Sequence, residues 1–119
     1  ANIPTPKEIE GQSLTPLLEN PLNRWNSFAI TQVLRPADSR LESPVMGRSI
    51  RSERWRYSDW AEGKHGVELY DHFADPMEFN NLAIKPTRDN QKIMKRLRKA
   101  LAQKASGQTP KTPFNPKRL

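Results

Sequence analysis

The residues best suited to chemistry are the carboxylates and the histidine of the segment DHFADPME. They are Asp71, His72, Asp75 and Glu78. Carboxylate and imidazole groups bind metal ions, so one interpretation of this segment is a metal site. Their spacing matches no metal-ligand signature, however, and Asp75 precedes a proline that holds it in an extended or turn conformation. We therefore favour a packing corner over a metal site.

The residues after this segment support an architectural role. Asp and Asn side chains bond to neighbouring backbone N–H groups, and paired asparagines follow at Asn80 and Asn81. The next residue, Leu82, is expected to fill the seam between a sheet and a helix. The corner would then end a strand and direct the chain back across the sheet.

The sequence offers little support for nucleophilic catalysis. It has no cysteine, which excludes disulfides, thiolate nucleophiles and sulfur-bound metals within it. The histidines, His65 and His72, have no Ser–His–Asp context that would activate a hydroxyl group. We predict no catalytic residue and no metal ligand, so the isolated chain should be inert.

The elements that position these residues are predicted to be short strands and one helix. Alternating or β-branched stretches at 25–34, 45–53, 54–60 and 67–72 indicate about four strands, and AEGKHG at 61–66 is a glycine-containing hairpin turn. Consecutive strands joined by turns favour a small antiparallel meander. Trp25, Trp55, Tyr57 and Tyr70 are interpreted as core or interface residues.

The clearest helix is predicted over 88–104. Ile93, Leu97 and Leu101 recur every four residues, and Thr87 or Asp89 can cap the start. The predicted fold class is therefore α+β, a small antiparallel sheet packed against one C-terminal amphipathic helix. An irregular N-terminal segment and a disordered tail complete it. Ser13 and Thr15 are candidate caps for a short helical turn before Pro21.

The net positive charge of the chain comes entirely from its last quarter. Residues 1–89 hold 11 Lys/Arg and 13 Asp/Glu, whereas residues 90–119 hold nine Lys/Arg and no acid. A solvated helix face with a disordered tail is one interpretation, and a module that binds sulfated glycans or nucleic acid is the other. Binding modules place aromatic residues among their basic ones, and Phe114 is the only aromatic residue of this region, so the binding module, and nucleic acid as a partner, are disfavoured. No apolar run approaches the roughly 20 residues of a membrane helix, and no signal peptide is visible.

Several stretches, in order, resemble one enzyme family. ELYDHFADPMEFNNLA closely resembles the C-terminal signature of the type I, formylglycine-dependent sulfatases. EGQSLTPLLENP is similar to the linker into that family's small domain, and MGRSIRSERWRYSDWAEGKHGVELYD to its hairpin. With TQVLRP, these stretches are most similar to the iduronate-2-sulfatase-like branch.

The resemblance implies a domain division and a missing partner. Residues 1–24 would be a linker from an N-terminal catalytic domain, 25–104 the C-terminal subdomain, and 105–119 a disordered, basic, proline-rich tail. Formylglycine and calcium are implied for the parent enzyme, but no C/S-x-P-x-R motif, Asp-Asp pair or Asp-His-Gly cluster occurs here. The parent is expected to be a periplasmic or secreted sulfatase acting on sulfated uronic-acid glycans. An exposed apolar patch for the catalytic domain is expected near residues 13–34.

The hairpin tip is the best candidate for substrate contact in such an enzyme. Trp60, if exposed, can stack on a sugar ring, while Lys64 and His65 can meet sulfate or carboxylate groups. The alternative is that Trp60 packs between domains and Lys64 is a solvated turn charge. A nearby set of arginines is interpreted as pairing across the sheet with Glu53, Asp59 and Glu68, with an anion-binding patch as the alternative. They are Arg48, Arg51, Arg54 and Arg56.

Overall fold

A computed structural model of the chain describes residues 13–23, 28–37 and 42–105. The elements in chain order are α1 (Thr15–Glu19), β1 (Ala29–Arg35), β2 (Val45–Arg51), β3 (Trp55–Trp60), a short 3-10 turn (Ala61–Gly63), β4 (Val67–Asp71) and α2 (Arg88–Ala105). The strands form one antiparallel sheet in the order β1-β2-β3-β4, and α2 covers one face. The predicted α+β class is confirmed.

Some predicted features lie outside the described residues. These are Trp25, most of the tail, and the part of the linker before Ser13. Within the described ranges, no helix is long and apolar enough to cross a membrane.

The core is a row of cross-strand partners closed by the helix. Ile50 is paired with Tyr57, which is paired with Leu69, so the three side chains lie on the same face of the sheet. Leu97 and Leu101 of α2 complete the buried cluster, and all five side chains are almost fully shielded from solvent. The apolar stripe of the helix was therefore predicted correctly.

The start of α2 is capped by a side chain from the preceding loop. Thr87 Oγ1 accepts a hydrogen bond of 3.2 Å from the backbone N–H of Asn90. This is the N-cap geometry that satisfies one of the free N–H groups in the first helical turn. Thr87, rather than Asp89, is the cap, and Asp89 instead pairs with Lys92 at 2.9 Å.

The corner after β4 is held by Asn81. Its Oδ1 accepts hydrogen bonds from the backbone N–H groups of Leu69 (3.1 Å) and Ala83 (2.9 Å), and its Nδ2 donates to the Val67 carbonyl. The Leu82 N–H then donates to the Leu69 carbonyl at 2.9 Å, and the Leu82 side chain packs against the core. The segment thus lies along the free edge of β4, as a packing corner should.

Asp71 forms an ion pair with Arg54 through both carboxylate oxygens. The Arg54 Nε and Nη2 atoms donate to the two Asp71 carboxylate oxygens at 2.8 and 2.6 Å. This hydrogen-bonded arginine lowers the pKa of Asp71 below its usual range. Within residues 13–23, 28–37 and 42–105, no group of three or more His, Asp or Glu side chains could hold a metal ion.

The partners of the other arginines were only partly predicted. Arg48 lies 3.5 Å from its cross-strand partner Asp59, as expected. Arg56 pairs instead with Glu78 at 3.1 Å, and Glu78 also contacts His72. Arg51 donates to the carbonyls of its own loop. The expected pairing with Glu53 and Glu68 was wrong. Glu78 of the corner pairs with Arg56, Asp71 at the end of β4 pairs with Arg54, and Arg51 bonds to backbone carbonyls instead.

Candidate functional site

An open cleft of about 340 Å³ lies at one end of the sheet. Antiparallel pairing brings the end of β1, the start of β2, the end of β3 and the start of β4 to this same end. The hairpin turn between β3 and β4 forms part of its wall. The lining residues are Arg35, Val45, Trp60, His65, Gly66, Val67, Glu68 and Asn81.

Trp60 is held firmly in the cleft. The residue is only half-buried, but its ring lies against Gly47 on β2, where a Cβ atom would come within 2.5 Å of the indole. The guanidinium carbon of Arg35 sits 4.5 Å from the ring centroid. Such a stack is a cation–π contact. The ring is therefore already covered by Arg35, and a sugar can stack on that part of it only by displacing the guanidinium.

The hairpin turn that carries His65 has an unusual backbone. Ala61 and Glu62 both adopt positive φ, at 48° and 58°, ahead of Gly63 at 94°. Left-handed conformations are unfavourable for residues with a Cβ atom and persist only where the surroundings impose them. Here the His65 N–H donates to the Trp60 carbonyl at 3.1 Å and closes the turn. The His65 side chain is left exposed at the rim of the cleft.

Lys64 does not share this cleft. It lines a neighbouring depression of about 350 Å³ with Met46, Arg48 and Glu62. In that depression Arg48 lies 3.6 Å from Glu62, so part of the positive charge is already paired. The structure therefore brings Trp60 and His65 together and places Lys64 on the other side of the turn.

Arg35 was missed by the sequence reasoning. It is exposed, and among the described residues no carboxylate forms an ion pair with it. Glu68 is the one acidic residue that lines the cleft. Only the strand register could have identified this residue. Arg35 is the last residue of β1, and the pairing of β1 and β3 with β2 puts it on the same side of the sheet as Trp60. Arginine is well suited to bind planar or tetrahedral oxyanions through several N–H groups.

The chemistry available in this cleft is binding. Its described lining contains one histidine and one carboxylate, with no hydroxyl or thiol nucleophile beside them. The groups that the family resemblance implies do not fit either. Formylglycine made from cysteine has no precursor in a chain without cysteine, and the described residues contain no carboxylate cluster for calcium.

Comparison with known proteins places the chain in a family. The family model described as "N-sulphoglucosamine sulphohydrolase, C-terminal" matches residues 1–107. The chain therefore belongs to this family of sulfatase C-terminal domains, and the predicted resemblance is confirmed.

Individual relatives are also sulfatases. The chain is 34% identical over 86 residues to a Delta 4,5-hexuronate-2-O-sulfatase of Bacteroides thetaiotaomicron, and 33% identical over 87 residues to an ulvan-active sulfatase of Formosa agariphila. The matches cover 72% of this chain in both cases but only 17% and 16% of the relatives.

A solved structure has the same fold. It is that of BT4656 in complex with its substrate D-glucosamine-2-N,6-O-disulfate, with a TM-score of 0.66 and 27% identity. The superposition covers 88% of this chain and 21% of that one.

Proposed function

We propose that the chain is the C-terminal domain of a sulfatase and acts together with a catalytic domain of the same polypeptide. The observation that carries this proposal is the family match over residues 1–107, made by a chain that spans only 17% and 16% of its curated relatives. The larger part of such an enzyme would supply formylglycine and calcium. This domain would complete the fold and one wall of the substrate cleft.

Exposed apolar side chains support a docked partner domain. In the corner after β4, Phe73, Met77, Phe79 and Ile84 are 67–82% exposed, although the backbone around them is tied by hydrogen bonds. Burying one such side chain is worth about 1.5–3 kcal/mol. A rigid loop that presents several of them is typical of an interface.

A second set of exposed apolar side chains falls within residues 13–34, the region where a docking patch was expected. Leu18 and Leu22 are 81% and 92% exposed, and Leu14, Val33 and Leu34 are more than two-fifths exposed. We propose that both groups face the catalytic domain. The group in the corner was not expected, because the signature was interpreted only through its hydrogen bonds.

The cleft beside Trp60 is proposed to contact an anionic group of the substrate. Arg35 would donate to a sulfate or carboxylate, and a ring N–H of His65 would donate from the rim. Trp60 would hold the guanidinium in place by stacking rather than receive the sugar itself. Because the relatives include a hexuronate-2-O-sulfatase and an ulvan-active sulfatase, we propose sulfated uronic-acid glycans as the substrate class.

The experiment is a kinetic comparison of single variants in the full-length gene product. Arg35→Gln should raise the KM for a sulfated uronide by about tenfold, the value of one lost charge-assisted hydrogen bond of roughly 1.5 kcal/mol. Arg88→Gln is the matched control, because Arg88 is an exposed arginine that lines none of the clefts described above. An equal KM for wild type and Arg35→Gln would contradict the assignment of the cleft.

A further inference from the structure

A second concave surface lies between α2 and the sheet. It is an open groove of about 530 Å³, and its lining is mostly apolar. Val67, Met94, Ala102 and the buried Tyr57 form the apolar part of its lining, and three basic side chains of α2 complete it. These three, Lys95, Arg98 and Lys99, are called the basic rim below.

The spacing of the basic rim concentrates its charge. Residues three and four apart on a helix have Cβ atoms about 5–6 Å from one another, so the three cations share one face of α2. All three side chains are exposed. Arg98 is also anchored, because its Nη2 donates to the Glu62 carbonyl in the hairpin turn at 3.1 Å.

Within the described part of the chain, no carboxylate neutralises the basic rim. Among the described side chains of α2, the one ion pair joins Lys92 to Asp89, ahead of the basic rim. From residue 90 onward the sequence contains no acid at all. The groove therefore combines an apolar floor with an uncompensated positive edge.

We infer that this groove binds a sulfated polysaccharide chain. A sugar ring has an apolar face of C–H groups, and its sulfates project from the edge, so the ligand has the same two-part character as the groove. The apolar floor would pack against the ring, and the basic rim would meet the sulfates. Duplex nucleic acid offers phosphates without an accessible apolar face. The choice of a glycan over other polyanions rests on the proposed function.

The position of the groove suggests how it would serve the enzyme. Val67 lines both this groove and the cleft beside Trp60, so the two surfaces meet at the start of β4. The pairing register places Trp60 and Tyr57 on opposite faces of the sheet, so a long glycan held in the groove would reach the cleft by passing around the start of β4, whereas a disaccharide can occupy only one of the two surfaces. The groove would therefore favour polymeric over short substrates.

The test measures how the full-length gene product binds heparin, a sulfated polymer of uronic acid and glucosamine, as salt is raised. The triple variant Lys95→Gln/Arg98→Gln/Lys99→Gln removes the basic rim. The control Lys85→Gln/Lys92→Gln/Arg96→Gln removes the same charge from exposed residues that do not line the groove. Circular dichroism and melting temperature verify that both variants are folded.

We expect the slope of log K against the logarithm of salt concentration to be shallower by about 2–3 for the rim variant. Each cation–anion contact contributes about 0.7–0.9 to the magnitude of this slope. At low salt its affinity should fall at least about tenfold, with a much smaller change for the control. Desulfated heparin should not bind. Equal losses for the two triple variants would overturn the inference, as would duplex DNA that competes as well as heparin at equal charge.

A second readout separates this inference from the proposed function. The rim variant should reduce sulfate release from a polysaccharide more than from a disaccharide, so the ratio of the two rates falls. If the wild-type enzyme releases no sulfate from either substrate, the proposed function fails while heparin binding still reports on the groove. If sulfate is released and the ratio is unchanged, the groove inference fails alone.

Discussion

The close contact between Gly47 and Trp60 gives a sharp prediction for Gly47→Ala. A Cβ atom built on Gly47 would lie 2.5, 2.7 and 2.9 Å from three carbons of the Trp60 ring. Carbon atoms in contact are normally about 3.5–4.0 Å apart, so the ring would have to move by roughly 1 Å. Its freedom to move is limited, because Arg35 stacks on it.

The expected sign follows from two opposing terms. Replacing glycine by alanine within a strand stabilises the fold by about 0.5–1 kcal/mol through lower entropy of the unfolded chain. Forcing a methyl group into a well-packed contact costs about 1–3 kcal/mol. We therefore expect Gly47→Ala to lower the free energy of unfolding by about 1–2 kcal/mol, measured by urea unfolding followed through tryptophan fluorescence.

A double-mutant cycle identifies the cause. In a Trp60→Leu background the ring is gone, so Gly47→Ala should become neutral or stabilising, and the coupling energy should be about 1–3 kcal/mol. Gly66→Ala is a useful contrast, because a Cβ atom there would meet nothing within 4 Å while the backbone holds φ at +114°. Its cost should not depend on Trp60. A cost for Gly47→Ala that is the same with and without Trp60 would refute the steric explanation.

The remaining predictions concern stability. Hydrogen bonding to Arg54 lowers the pKa of Asp71 in the folded state, so the Asp71 carboxylate stabilises the fold above its unfolded pKa of about 3.9. This contribution is lost as pH falls through the folded pKa. In pH-dependent urea unfolding, the stability that Asp71→Asn loses at pH 7 should therefore shrink below about pH 4. Leu97→Ala creates a cavity at a fully buried position and should cost about 2–5 kcal/mol, which would lower the melting temperature sharply. Asn81→Ala leaves the Leu69 N–H and the Val67 carbonyl without their side-chain partner and should cost about 1–3 kcal/mol, visible as faster hydrogen exchange along β4.

Local pattern was enough to predict the elements. The strands, the helix at the C-terminal end and the corner at residues 71–83 were found because periodicity, turn residues and capping residues act over a few positions. Asp59 was named among the expected cross-strand partners of the arginines, and in the structure it pairs with Arg48.

Contacts that depend on the assembled sheet were harder to predict. Arg35 and Trp60 meet only because β1 and β3 both flank β2 in one register, and nothing near Arg35 in sequence indicates this stack. Lys64 and His65 are neighbours in sequence but line different depressions, a division that becomes visible only when the turn is placed against β2 and β4. The exposed Phe73 and Phe79 were missed because the signature was interpreted through its hydrogen-bonding residues.

The most direct test of the account is to measure inorganic sulfate released by the full-length gene product from a 2-O-sulfated unsaturated uronide, by ion chromatography. A sulfatase whose C-terminal domain is this chain should release stoichiometric sulfate from that sugar and leave its desulfated counterpart unchanged. Failure to release sulfate from this substrate and from other sulfated uronic-acid oligosaccharides, by a folded gene product, would contradict the proposal.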